Sequence, residues 1–422
     1  MAHVYDRLPR DFRVALSPVV EPSAIFVKRI LTIVSQIRLP VYFLQGREKG
    51  SEHPLSVLFW GEEHGALYVS SLLFSEEPVQ KNLKKVYIWA LPSALHSSLP
   101  KADLLFARVD GVYSRWLARR GLMILPEWVL FMLPLNKPLP EMWKLSKNKS
   151  LRENLGEIKK NQYTYEITCD PEKFEFFYHR MYLPYITKRY GKISLPHSVS
   201  FVKRNFERGQ LLLVKRGEER VSGCIIRAEP QVTFLIHVGV REGKLDELKR
   251  GALSATYYYS ILWAKERGCQ WYDAGHCRPF FKDGVFFHKR KWGMEVKKSK
   301  RVQTVLGLGI GSFHPGVFSF LANNPFVFIA RGKLKGLIFS EKTHALTLEE
   351  VQSILKSYSI PGLENLVLLA PNGFTPQAKA FAASQTTSKV ELIPMGLETF
   401  FKTFPNDPSG LSLSPPDQPQ EG

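Results

Sequence analysis

Three β-rich runs, Gln210 to Arg216, Arg220 to Ala228 and Gln231 to Val238, follow one another with only Gly217-Glu218-Glu219 and Glu229-Pro230 between them. Breaks this short carry a chain from one strand to an antiparallel neighbour, so the runs are expected to form a meander. A strand from Tyr163 to Thr168, a helix from Pro171 to Tyr190 and a second from Val199 to Glu207 precede it. Asp170 caps the first of these helices, since a carboxylate there accepts the free first-turn amides. A helix from Ala252 to Arg267 and a strand from Gln270 to Ala274 follow. Strand, two helices, three strands, helix, strand is a mixed order of the α+β class.

A chain of 422 residues exceeds one ordinary core and implies two or three domains. Lys and Arg number 58 against 39 Asp and Glu, a net charge of +19. That sign favours anionic partners such as tRNA, phospholipid head groups, CoA or lipid-linked phosphates, and no DNA partner is expected. Cys169, Cys224, Cys269 and Cys277 lack metal-type spacing, so free thiols in a reducing compartment and no bound metal are expected. Met1 to Arg10 carries charges where a secretory signal needs an apolar stretch, which points to the cytoplasm.

From Met1 to about Asn136 short apolar runs alternate with loops, as in an α/β unit, and no catalytic signature stands out. Lys144 to Lys160 follows, with Leu145, Leu151, Leu155 and Ile158 at helical spacing among basic residues; it reads as a solvated helix at a domain junction. Val302 to Ala330 has no Lys, Arg, Asp or Glu, but Gly and Pro interrupt it too often for a regular membrane span. It is expected to be buried, with peripheral contact at the inner face of a membrane as the alternative, because basic residues flank it. A strand at Leu337 to Phe339, a helix from Leu348 to Tyr358 capped by Thr347, a strand at Leu366 to Ala370, a helix after Phe374 and a strand at Glu391 to Ile393 describe a small α/β module. Ser409 to Gly422 is expected to be a disordered tail. The expected divisions are 1–140, 141–300, 301–405 and 406–422.

Three motifs carry a resemblance: Ser146 to Leu155 (SKNKSLRENL), Trp263 to Gly268 leading into Trp271 to Gly275 (WYDAG), and His288 to Gly293 (HKRKWG). In this order they resemble the Fem-type branch of the GNAT acyltransferase superfamily, over roughly residues 100 to 300 (the "SKSLRRNI" and "FKRKWG" motifs). The resemblance implies tandem GNAT-like domains, the N-terminal one degenerate, and transfer of an acyl or aminoacyl group from acyl-CoA or aminoacyl-tRNA. His288 stands where that family usually has Phe, and Leu248 to Ala252 (LKRGA) matches only part of a glycine-rich acyl-CoA loop. The helical arm of some tRNA-using members has no room here, so both donors stay open.

Acyl transfer needs a deprotonated nucleophile, donors for the developing oxyanion and an anchor for a phosphorylated donor. Lys249, Arg250, Gly251, Ala252 and Ser254 open a helix whose free amides and adjacent cations suit a pyrophosphate. Asp273 and His276 end a strand, where a carboxylate orients an ammonium and an imidazole that titrates near neutrality serves as general base. Tyr257, on the preceding helix, is placed as an acid. The resemblance implies that Lys289 contacts a phosphate or carboxylate of the substrate. Read as a strand, Lys289 to Lys291 would alternate between cleft and solvent. Arg278 joins Lys289 on the acceptor side, with Tyr182, Tyr185 and Arg189 on the first helix as further lining residues.

Leu366 to Ala380 and Val390 to Ile393 resemble the closing half of Mrr-type restriction-endonuclease-like domains, but Ser340 stands at the metal-binding Glu position and only Lys342 matches, so this part is read as noncatalytic. The expected function is therefore acyl or aminoacyl transfer to an amine or hydroxyl of an anionic small-molecule or lipid-linked acceptor. The alternative is a noncatalytic basic protein on a degenerate scaffold, holding nucleic acid or an anionic envelope precursor.

Overall fold

The structure, a computed structural model, describes residues 33–34, 36–83, 85–90, 101–136, 149–385 and 390–403. The expected tail and the first residues of the SKNKSLRENL motif lie outside these. The described chain is α+β, as its element order suggests, and divides into two compact units. A unit central in the sequence comprises 129–277 and 284–297 with 33–34, and a unit that flanks it in the sequence comprises 36–128, 278–283 and the described residues from 298 onward.

In the flanking unit the chain runs through β1 (Arg38–Leu39), β2 (Val41–Arg47), β3 (Pro54–Trp60), α1 (Glu63–Leu73), β4 (Val79–Asn82), β5 (Val86–Tyr87), β6 (Leu104–Asp110), α2 (Ser114–Ala118) and β7 (Met123–Pro126). β2 and β3 form an antiparallel pair, and β3 runs parallel to β6 over Val57–Trp60.

The central unit begins earlier than the expected division at 140. Strand β8 (Val129–Pro134) pairs with the strand ending at Cys277 and so belongs to the second sheet. After it come α3 (Lys149–Lys160), β9 (Thr164–Thr168), α4 (Pro171–Phe177), α5 (Leu183–Tyr190), α6 (Val199–Glu207), β10 (Gln210–Arg216), β11 (Glu219–Ala228), β12 (Val232–Val240), α7 (Leu245–Lys249), α8 (Ala252–Glu266), β13 (Trp271–Cys277), α9 (Gly284–Lys291) and β14 (Glu295–Lys298). The sheet order is β14-β8-β13-β12-β11-β10-β9, with β9 to β12 antiparallel and β12 parallel to β13. Helix α8 makes the crossover that a parallel pair requires. A π-helical turn, Tyr178–Tyr182, joins α4 to α5.

Alternation along the meander buries both sheet faces. Leu211, Leu213 and Ile225 pack with Phe174, Phe177 and Phe206 from α4 and α6. On α8, Thr256 donates to the Ser222 hydroxyl and Ser222 to the Ala252 carbonyl, each at 2.8 Å, which fixes the start of α8 against β11.

Val302 to Ala330, expected to be buried, is built of strands and a helix. It supplies β15 (Thr304–Ile310), inserted between β6 and β7 of the first sheet, then α10 (Pro315–Asn323) and β16 (Phe326–Ala330). The module that follows, β17 (Lys333–Phe339), α11 (Leu348–Tyr358), β18 (Leu366–Leu369), α12 (Pro376–Ser384), β19 (Val390–Ile393) and α13 (Leu397–Thr403), shares one apolar cluster with the six-stranded sheet, including Phe59, Phe106, Phe320, Val367 and Phe400. The expected boundary at 301 therefore does not separate two cores.

Candidate active site

Strands β12 and β13 pair in parallel for three residues only, Val232 with Trp271, Thr233 with Tyr272 and Phe234 with Asp273. Each strand then takes one extra residue. In β12, Ile236 and His237 together oppose Ile225 of β11; in β13, Ala274 and Gly275 oppose Phe131 of β8. A bulge bends its strand and increases the local twist. With a bulge in each strand at the same level, the parallel pairing ends at Phe234 and Asp273, toward the carboxyl ends, where adjacent parallel strands most often take a ligand.

Gly275 adopts φ +75°, a conformation in which a side chain is strained. One oxygen of Asp273 accepts from the Gly275 amide at 2.7 Å, so this carboxylate caps the bulge. His276 follows, half-buried, with its backbone paired to Leu130.

Lys289 is 3% exposed, and its ammonium donates to the carbonyls of Gly275 at 3.0 Å and His276 at 2.9 Å. Lys289 to Lys291, read conditionally as a strand, belong instead to the helix α9, with Phe286 and Lys289 three residues apart on its buried side. Phe286 meets Phe131 edge-on at 5.0 Å, and the Lys289 ammonium lies 5.8 Å from the same ring. The lysine expected to reach an acceptor therefore holds the bulge in shape.

His288 lies against Tyr257 of α8 at 4.7 Å between ring centroids, and its Nε2 accepts from the Trp292 indole at 3.3 Å. Burial, aided by Lys291, Lys289 and Arg189, holds this imidazole well below its ordinary value. A neutral ring agrees with an accepting Nε2. Tyr257 is buried, and burial first, then Tyr185 and Tyr190, push its phenol up, so it keeps its proton. Burial also pushes Tyr185 up to about 12, and the Arg189 guanidinium lies 5.9 Å from the Tyr185 ring. A side chain at Gly284 would meet Arg189 at 3.1 Å, so the end of α5 abuts the start of α9. Tyr185, Arg189, Tyr257 and His288 are thus brought together. Burial lowers the Lys291 ammonium beside them to about 8.

The start of α8 follows the carboxyl end of β12. Gly251 caps it at φ +84° and is buried, while Lys249 and Arg250 are exposed. The Arg250 carbonyl accepts from Asn161 and Tyr163, both at 3.2 Å. Ala252 and Ser254 are buried.

Arg278 does not join this group. It belongs to the flanking unit, where it donates to Glu127 at 3.0 Å and lies between the rings of Tyr68 and Trp128, at 3.9 and 4.0 Å. Tyr182 is also committed, its hydroxyl accepting from the His197 amide at 3.1 Å.

Sequence reasoning missed His237. The β12 bulge turns it toward Tyr182, His197 and Phe201, at 5.2, 5.5 and 6.0 Å between rings, and its Nε2 lies 3.0 Å from the Asn205 amide nitrogen. Burial, reinforced by His197, lowers it to about 4. Its only signal in the sequence is a polar residue within the apolar run Phe234 to Val238.

No protein-family model matches the sequence, and no curated protein matches it. Among solved structures the chain is similar to FemX, at 14% identity and a TM-score of 0.33, covering 63% of this chain and 83% of that one. It is similar to L-PGS from Bacillus licheniformis at 11% identity and a TM-score of 0.32, covering 63% and 80%. A GNAT family acetyltransferase from Elizabethkingia anophelis with acetyl-CoA bound is similar at 13% identity and a TM-score of 0.22, covering 35% and 97%. Superpositions this limited carry no argument about activity, and the endonuclease resemblance of the C-terminal segment finds no support in them.

Proposed function

We propose that the chain is a GNAT-like, cytoplasmic transferase that moves an acyl or aminoacyl group from acyl-CoA or aminoacyl-tRNA to an amine or hydroxyl. The observation that carries this reading is the pair of facing bulges that part β12 from β13, with the start of α8 at the same end of the sheet. Parted strands offer backbone donors and acceptors on the edges that face the gap, and the amide groups of a CoA arm laid between them would take these up. The donor's phosphates would lie at Lys249 to Ser254. An anionic or lipid-linked acceptor would enter past Tyr185 and Arg189.

In the reaction the acceptor nitrogen or oxygen attacks the acyl carbon, and a C–N or C–O bond forms as the thioester or ester bond breaks. His276 takes the acceptor's proton and Tyr257, still protonated, returns one to the leaving thiolate or alkoxide. Asp273 and Lys289 hold the bulge that presents His276.

A second reading, a noncatalytic protein that binds the same anions, is favoured by the internal commitments of Asp273 and Lys289. Thermal unfolding in the presence of acetyl-CoA, longer acyl-CoAs and aminoacyl-tRNA tests the first. A rise in Tm with one donor class is expected, and no rise with any donor would sink it.

A further inference from the structure

We propose that residues 192–204 form a docking tip that inserts into an anionic lipid bilayer. Leu195, Val199 and Phe201 are 65%, 38% and 40% exposed and lie within seven residues of chain. Helix α6 already has its buried stripe, Val202 and Phe206, and although the Phe201 ring lies 4.5 Å from that of His197, the exposed area of Leu195, Val199 and Phe201 is not explained by the core.

Two features give the tip an occupant. The first is charge: between 188 and 208 the chain carries Lys188, Arg189, Lys192, Lys203, Arg204 and Arg208 against one carboxylate, Glu207. Apolar side chains flanked in the chain by cations match the acyl boundary and phosphate layer of an anionic membrane. The second is rigidity. The loop is held at His197 from both sides, with the Tyr178 hydroxyl donating to its carbonyl at 3.0 Å and its amide donating to Tyr182 at 3.1 Å. A tip fixed in this way needs little ordering on contact. Among the described residues no helix is long and apolar enough to cross a membrane, so such a contact would be made at the surface.

The proposal does not depend on the transferase reading, because binding is measured without a donor. Cosedimentation of the full chain with phosphatidylcholine vesicles, and with vesicles containing one-third phosphatidylglycerol, is the test. Binding is expected only to the anionic vesicles. Lys192→Glu/Lys203→Glu should weaken it by roughly tenfold or more, and Leu195→Ser/Val199→Ser should weaken it severalfold at unchanged Tm. Equal binding by the serine variant would overturn the insertion, as would binding to neither vesicle. A dimer in light scattering that the serine variant abolishes, with no vesicle binding, would assign the patch to a second copy instead.

Discussion

Lys289 and Gly275 are joined by a 3.0 Å hydrogen bond from a buried ammonium to the carbonyl of a residue at φ +75°. The bond ties α9 to the bulge of β13 and so ties the closing motif of the sequence to the parting of the strands. Lys289→Met keeps the length of the side chain and removes the donor. Desolvated carbonyls left without it cost about 2 kcal/mol, so the urea midpoint should fall by that equivalent and the Tm rise induced by a donor should disappear. An unchanged midpoint would show that the bulge stands without the clamp.

Glycine positions separate strain from collision. The methyl of Gly275→Ala would meet the Leu235 carbonyl oxygen and the Lys289 Nζ at 3.8 and 3.9 Å, ordinary van der Waals contact, so only the left-handed backbone penalises it, by about 1 kcal/mol. A methyl at Gly239 would lie 2.6 Å from the Tyr182 nitrogen and 2.7 Å from the Met181 carbonyl carbon, both backbone atoms. Soluble expression and circular dichroism should therefore find Gly275→Ala folded and Gly239→Ala largely unfolded.

His237 makes stability depend on pH. Its folded value of about 4 lies below the ordinary 6.5, so unfolding takes up a proton between those limits. Stability is full above pH 6.5 and declines as the pH falls toward 4. The loss from this group should be of order 3 kcal/mol. His237→Gln, which keeps an acceptor for Asn205, should show a flatter profile in urea melts at pH 7 and pH 4.5.

Glu127 titrates in a lower window. Burial raises its carboxyl, but Arg108, then Arg278 and the Thr304 hydroxyl, outweigh burial and hold it below its ordinary 4.5. Its stabilisation is complete above about pH 4.5 and is lost as the pH falls through the folded value. Glu127→Gln leaves the buried Arg278 without its carboxylate and Arg108 with only Glu62, and should cost about 3 kcal/mol at pH 7. The difference from wild type should narrow below pH 4.5.

For the proposed chemistry, His276→Ala and Tyr257→Phe should each lower turnover about a hundredfold or more, with donor affinity within about twofold of wild type. Single-turnover rates and a donor titration separate the two quantities, and full turnover in both variants would remove the assignment.

Much of the fold was legible because its signals are local. Thr347 and Glu350 form a reciprocal capping box, and α11 runs over Leu348–Tyr358 as its cap and spacing suggest. The meander followed from its short breaks. What the sequence did not disclose is pairing between distant segments. The charge-free run from Val302 announced burial but not that β15, from Thr304, enters a sheet begun at Val41. Arg278 looked like a neighbour of His276 because it is two residues away, yet the chain passes from one unit to the other between Cys277 and Arg278. The run Lys289 to Lys291 left strand and helix open, whereas the anchoring of Phe286 on Phe131 and Lys289 on the bulge suits a helix. The turning of His237 depends on a register that exists only once β11 and β12 have met.

Strands β8 and β15 lie inside their sheets, β8 between β14 and β13 and β15 between β6 and β7. During synthesis the first sheet therefore waits with an open slot until residues 304–310 leave the ribosome, after the whole central unit has been made. A nascent chain halted before that point would present two unpaired strand edges to its surroundings. For the same reason, a fragment cut at 140 or 300 would lack an inner strand rather than a dispensable end.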